Sequence, residues 1–209
     1  MVFLPEGKMK SREGTVVDAD DLIASLTEMA REEIIEKGRE GELDDVDKTA
    51  HDIALGALNY YILQFDPNKD FVFNPKESLS FNGNTGPYLQ YMGARISSML
   101  RKYDEVRSQY DAIPFDPALL RLEDERELIK TIGAFPETVT RACRQYDPSV
   151  ICAYLYDMSK RFSRWYHDHQ ILTAETESLI KARVCLCEMV LQTMKNAFDL
   201  VGIPFLEKM

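Results

Sequence analysis

A turn followed by a stripe is the feature that most narrows what this chain can fold into. Asn82-Gly83-Asn84-Thr85-Gly86 is turn-forming, and Pro87 follows it. Proline's fixed φ suits a first helical turn, and its missing N–H costs nothing there. Tyr88, Met92, Ile96, Met99 and Tyr103 then recur at helical spacing, which predicts one long helix with a buried stripe. The same pattern assigns Gln90, Ser97 and Arg101 to the opposite, polar side. Gly93-Ala94 leaves a small patch where another helix can come close.

The rest of the chain repeats this theme. Asp18 or Asp20 caps a helix carrying Leu22, Leu26, Met29, Ala30 and Ile34, and Gly38 and Gly41 end it. Asp44 and Asp45 start a second, with Val46, Ala50, Ile53, Ala54, Ala57, Leu58 and Tyr61 inward. His51 lies in it as a surface residue, since no nucleophile or carboxylate pair is arranged with it. Asp66-Pro67-Asn68 breaks the pattern, and Phe71-Val72-Phe73 is a brief β-prone segment.

After the organising helix and a linker over Tyr110 to Pro117, four more helices follow. The first runs from Glu123 to Ile132, Pro136 opens the second, Asp147-Pro148 begins the third, and Thr173 caps the last. Tyr88, Met92, Ile96, Leu155, Met158, Val184 and Leu191 are expected to be buried together. Pro5 and Gly7 argue against a regular element over Met1 to Gly14, which is expected to be poorly ordered. The fold class is therefore all-α, a helical bundle with a short irregular N-terminal segment.

Composition excludes several classes. No apolar run is long enough to span a bilayer and no signal peptide is visible, so a cytoplasmic protein is expected. Cys143, Cys152, Cys185 and Cys187 form no C-x-x-C pair and read as reduced thiols. His167-Asp168-His169 lacks the further ligands a structural zinc requires, so no metal is expected. A formal net charge of -10 is the wrong sign for binding nucleic acid with the whole surface. The acids crowd Asp18 to Asp47, however, and cations gather in the later half, so a local basic face remains compatible with RNA.

The wording of the organising stretch is more specific than its spacing. Ser80-Phe81-Asn82-Gly83-Asn84-Thr85-Gly86-Pro87-Tyr88-Leu89-Gln90-Tyr91, followed by Ala94-Arg95-Ile96, closely resembles the junction of arginyl-tRNA synthetases, where the catalytic body meets the helical anticodon-binding domain. Glu127-Leu128-Ile129, Phe135-Pro136, Tyr154-Leu155-Tyr156-Asp157 and the ending Val201-Gly202-Ile203-Pro204 with Met209 fall where that family has similar wording. Lys8-Met9-Lys10-Ser11-Arg12 resembles the class I signature loop, usually Lys-Met-Ser-Lys-Ser, with the fourth-position lysine missing. The resemblance runs from Gly7 to the end.

The resemblance implies a bundle of the class I synthetase anticodon-binding type. Residues 1–79 would be the end of the catalytic region, with the signature loop and stem-contact helices, and 80–209 the anticodon-binding domain. Lys8 and Lys10 would be catalytic-loop lysines of an incomplete site. No His-x-Gly-His signature or nucleotide-binding fold accompanies them. ATP with Mg would serve the parent enzyme, an arginine–tRNA ligase, and this stretch alone would hold no cofactor and show no activity. Its partners would be the anticodon arm of arginine tRNA and a missing N-terminal catalytic domain, and the chain a monomer.

RNA loop bases are read by stacking and edge contacts. The break Trp165-Tyr166-His167-Asp168-His169-Gln170 is the candidate platform, with Trp165 alternatively a core residue continuing the Phe162 stripe. Arg161, Arg164, Lys181 and Arg183 are candidate phosphate contacts expected on one face, or else a solvated face. By family analogy Met209 belongs near the same site. The alternative is a stand-alone helical protein-interaction module derived from that domain.

Overall fold

The computed structural model describes residues 2–3 and 18–209. Among these, eight α-helices and one pair of two-residue strands form, so the all-α expectation holds. The irregular N-terminal expectation is corrected at Val2–Phe3, which form β1 and pair in parallel with β2 (Phe71–Val72). Val2 packs against the cluster of Leu26, Tyr61 and Phe73, which anchors this pairing ahead of Pro5 and Gly7 in the chain. The signature-loop residues Lys8 and Lys10, and the expected poor order around them, lie outside the described residues.

Helix α1 (Ala19–Glu36) starts at Asp18, whose carboxylate accepts from the Asp20 N–H, and buries Leu26, Ala30 and Ile34. Helix α2 (Val46–Leu63) starts at Asp45, which accepts from the Lys48 N–H. It buries residues on two sides, including Ala50, Ile53, Gly56 and Tyr60. The short α3 (Pro75–Ser78) leads into the organising helix α4 (Gly86–Asp104), capped by Thr85. Then come α5 (Glu123–Gly133), α6 (Phe135–Gln145), α7 (Ser149–Asp168) and α8 (Glu177–Val201). The cap of α8 is Thr176, whose hydroxyl accepts from the Leu179 N–H, and not Thr173, whose hydroxyl is bonded to Gln170.

The largest core joins α4, α5, α7 and α8. It contains Met92, Ile96, Leu155, Met158, Val184 and Leu191, with Tyr88 half-buried at its edge. Smaller clusters hold α1 against α2. Helix α2 reaches the main core through Tyr60, whose hydroxyl donates to the Cys152 carbonyl at 3.1 Å. Burial pushes that phenol well above its usual range.

Helix α4 is enclosed on more sides than its stripe suggests. Gln90 and Ser97, expected to face solvent, are buried. The Gln90 amide donates to the Asp52 carbonyl of α2 and to the Pro204 carbonyl of the C-terminal tail, each at 2.9 Å. The start of α4 passes so close to α2 that a Cβ on Gly86 would lie 2.1 Å from the Gly56 carbonyl oxygen. Only glycine permits that approach.

Candidate nucleic-acid interface

With α2 and α7 packed against it, α4 keeps one ridge open. Tyr91, Arg95, Ser98 and Lys102 follow at intervals of three or four, so they share a face. Three adjoining hollows run along this ridge. The first, about 340 Å³, lies between Ile34, Lys37, Phe81, Tyr91 and Met209. The second shares Arg39, Tyr91 and Met209 with it and adds Arg95 and Ser98. The third continues from Arg95 and Ser98 to Lys102, Tyr166, His169 and Gln170. A hollow of this size falls within the ~300–1,000 Å³ range of small-ligand sites.

Each wall has a local cause. The C-terminal tail is drawn against α4 by Gln90, and the Arg39 guanidinium donates to the Met209 carbonyl at 2.7 Å. Lys208 pairs with Asp44 at 2.8 Å, which ties the tail to the approach to α2. At the other end Tyr166 packs on Phe162, and the Arg95 guanidinium lies 4.4 Å from its ring centroid. The ring is therefore covered by a cation. Lys37 stands 4.2 Å from the Phe81 centroid while pairing with Glu33.

Among the described residues Arg95 and Lys102 form no ion pair, although both line the ridge. Lys181 sits 6.0 Å from the ring of Tyr103, the residue after Lys102. Arg95 and Lys102 thus give the ridge positive charge not spent on carboxylates, whereas Lys37 and Arg39 at the other end of the groove pair with Glu33 and Glu42.

The structure thus brings Tyr166, His169, Gln170 and Met209 onto one groove, but through α4 rather than around a single helix break. Trp165 is corrected from platform to core: it is 0% exposed and packs on Phe162. His167 is exposed at the last turn of α7. The four cations do not share a face. Arg161 is held by Asp157 at 2.7 Å and by Glu127 of α5 at 3.0 Å. Arg164 is exposed, with Asp168 4.0 Å away. Lys181 faces α4. Arg183 is buried against Glu125, so it is no phosphate contact.

Residues 89–209 match the model of the DALR anticodon binding domain. The chain belongs to the DALR anticodon-binding domain family. The DALR chain is 54% identical to the arginine–tRNA ligase of Treponema denticola over its whole length, and 48% identical to that of Borrelia hermsii. It spans about a third of the length of these relatives, 36% and 35%. Its fold superposes on the solved arginyl-tRNA synthetase of Thermus thermophilus with a TM-score of 0.86 and 30% identity, covering 100% of this chain and 34% of that one. The Plasmodium falciparum arginyl-tRNA synthetase shares the fold at TM-score 0.79, with 23% identity.

The DALR residues that sequence alone does not single out are Tyr91, Arg95 and Lys102. Tyr91 and Arg95 stand within the family-like wording of Ser80 to Ile96, and all three share an i, i+4 and i+11 spacing on the flank of α4 beside the Met92 and Ile96 stripe.

Proposed function

We propose that this chain is the anticodon-recognising portion of an arginine–tRNA ligase and that the α4 groove is where the anticodon loop of arginine tRNA lies. The observation that carries the reading is the continuity of the groove from Met209 past Tyr91 and Arg95 to Tyr166, in a member of an anticodon-binding family. Splayed bases need flat surfaces and edge-reading groups. Tyr91 and the Arg95 guanidinium offer the first, and His169, Gln170 and the tail offer the second. Phosphates would be held by Arg95 and Lys102, whose contacts fix position without reading sequence.

The division of the chain near residue 80 belongs to this proposal. Residues 1–79 would connect the groove to a catalytic body that uses ATP with Mg, with Lys8 and Lys10 in its signature loop. The stand-alone interaction module is the weaker reading, because the 54% identity extends over the whole chain, catalytic-side residues included.

Two assays test the proposal. The chain should bind a labelled anticodon stem-loop of an arginine tRNA in fluorescence anisotropy. It should show no arginine-dependent ATP–pyrophosphate exchange. Failure to bind at low salt would remove the groove from RNA recognition, and exchange activity would overturn the division of labour.

A further inference from the structure

Behind the Tyr166 wall of the groove lies a buried ion pair that ridge contacts alone do not explain. The side chains of Glu125 and Arg183 are 1% and 8% exposed. The Arg183 Nε donates to Glu125 Oε1 at 2.8 Å, and its Nη1 donates to the Gln170 carbonyl at 2.6 Å. The other carboxylate oxygen accepts from the Leu122 N–H at 3.0 Å, where α5 begins. One guanidinium therefore joins α8, the start of α5 and the loop after α7. Beside it, the His169 imidazole lies 3.9 Å from Asp124, and Ile171 is buried.

A buried ion pair is a weak source of net stability, because desolvation offsets the attraction. Packed apolar side chains could join α5 to α8 equally well. They could not bond a loop carbonyl. The Arg183 fork does so beneath the residues that form the groove wall, and a guanidinium holds two acceptors in fixed geometry where an ammonium does not.

We infer that Glu125 and Arg183 are a positioning pair for RNA binding, fixing the backbone at His169–Ile171, whose His169 N–H donates to the Trp165 carbonyl at 3.0 Å, so that Gln170 and the last turn of α7 with Tyr166 stand pre-organised in the groove. This rests on the groove reading above. A wall ordered before binding spares the loss of freedom that otherwise weakens association.

The test is a double-mutant cycle on the 209-residue chain, with a labelled arginine anticodon stem-loop as probe. Arg183→Lys keeps the charge and loses the fork. It should weaken binding about fivefold, and Tyr166→Ala should cost about threefold less in that background than in wild type, as coupled residues do. Lys37→Ala, at the far end of the groove, should cost the same in both backgrounds. Circular dichroism melting monitors folding, and Glu125→Gln takes the same cycle and the same criteria if the lysine variant is unfolded.

Wild-type affinity in folded Arg183→Lys, whatever its melting temperature, overturns the inference. So does equal coupling to Tyr166 and Lys37, which would mark a general loss of structure. If Tyr166→Ala weakens binding while the pair's variants do not, the pair is structural and the groove reading stands. If Tyr166→Ala has no effect, the groove reading fails at this end and the inference falls with it.

Discussion

Arg95 of α4 covers the ring of Tyr166 of α7, with the guanidinium carbon 4.4 Å from the ring centroid. The contact closes the seam between two helices and leaves a flat cation on the groove. It is worth ~0.5–1 kcal/mol at an exposed site, too little to hold the helices together, so its value lies in what it presents. Arg95→Ala should therefore leave the melting temperature nearly unchanged while lowering affinity for cognate and non-cognate anticodon loops alike. Tyr166→Ala should lower both affinities by less, because the guanidinium stays and loses only the ring that orients it. Anisotropy titrations with both loops separate the two effects.

Three glycines rank the tightness of the fold. A Cβ on Gly86 would meet α2 backbone at 2.1 Å, one on Gly93 would meet the edge of the Phe205 ring at 2.9 Å, and one on Gly133 meets nothing within 4 Å. Gly86→Ala should cost about 1–3 kcal/mol or more, as overpacking against backbone does. Gly93→Ala should cost less, because a half-buried ring can shift. Gly133→Ala should stabilise by ~0.4–1 kcal/mol through the unfolded chain. Urea unfolding of the three variants checks the order.

Gln90 links α4 to α2 and to the tail that carries Met209. Gln90→Leu should destabilise by ~1–3 kcal/mol, because the new side chain cannot donate to the buried carbonyls. It should also raise hydrogen exchange over residues 203–209 more than elsewhere. Unchanged exchange in the tail would show that the Arg39 and Lys208 contacts suffice to hold it.

Alkali should unfold the chain through its buried acids. Burial pushes the Cys152 thiol and the Tyr154 hydroxyl each up to about 12, whereas unfolded groups titrate near about 8.5 and about 10. Because the folded values are raised, the folded state holds these protons longer. The stability they support is complete below the unfolded values and is lost as pH rises toward the folded ones. Each group should contribute a slope of about -1.4 kcal/mol per pH unit in its window. Cys152→Ala should flatten the curve between about pH 9 and 12 in denaturant titrations.

The helices were legible because their caps and stripes agree. Thr85-Gly86-Pro87 starts α4, and Met92, Ile96 and Tyr103 are buried as the spacing requires. Gln90 and Ser97 were not legible, since an amphipathic stripe presumes one packed side and α4 has neighbours on two. Trp165 follows the Phe162 stripe into the core, which spacing favours and a break in the pattern obscures. Arg183 looks like a surface cation because its partner Glu125 is 58 residues away in the chain. The groove itself exists only where the tail and α7 close on α4, so the family-like wording around Tyr91 and Arg95 marks the helix and not their place on an open ridge.

The most direct test of the account is the salt dependence of binding between the wild-type chain and an arginine anticodon stem-loop, compared with a non-cognate loop. Affinity should favour the cognate loop and fall with added salt, log K changing with log salt by about -0.7 for each single-strand phosphate held. Two held phosphates, the number that Arg95 and Lys102 can serve, give a slope of roughly -1.4. Binding that is absent at low salt, or equal for both loops, would contradict the account.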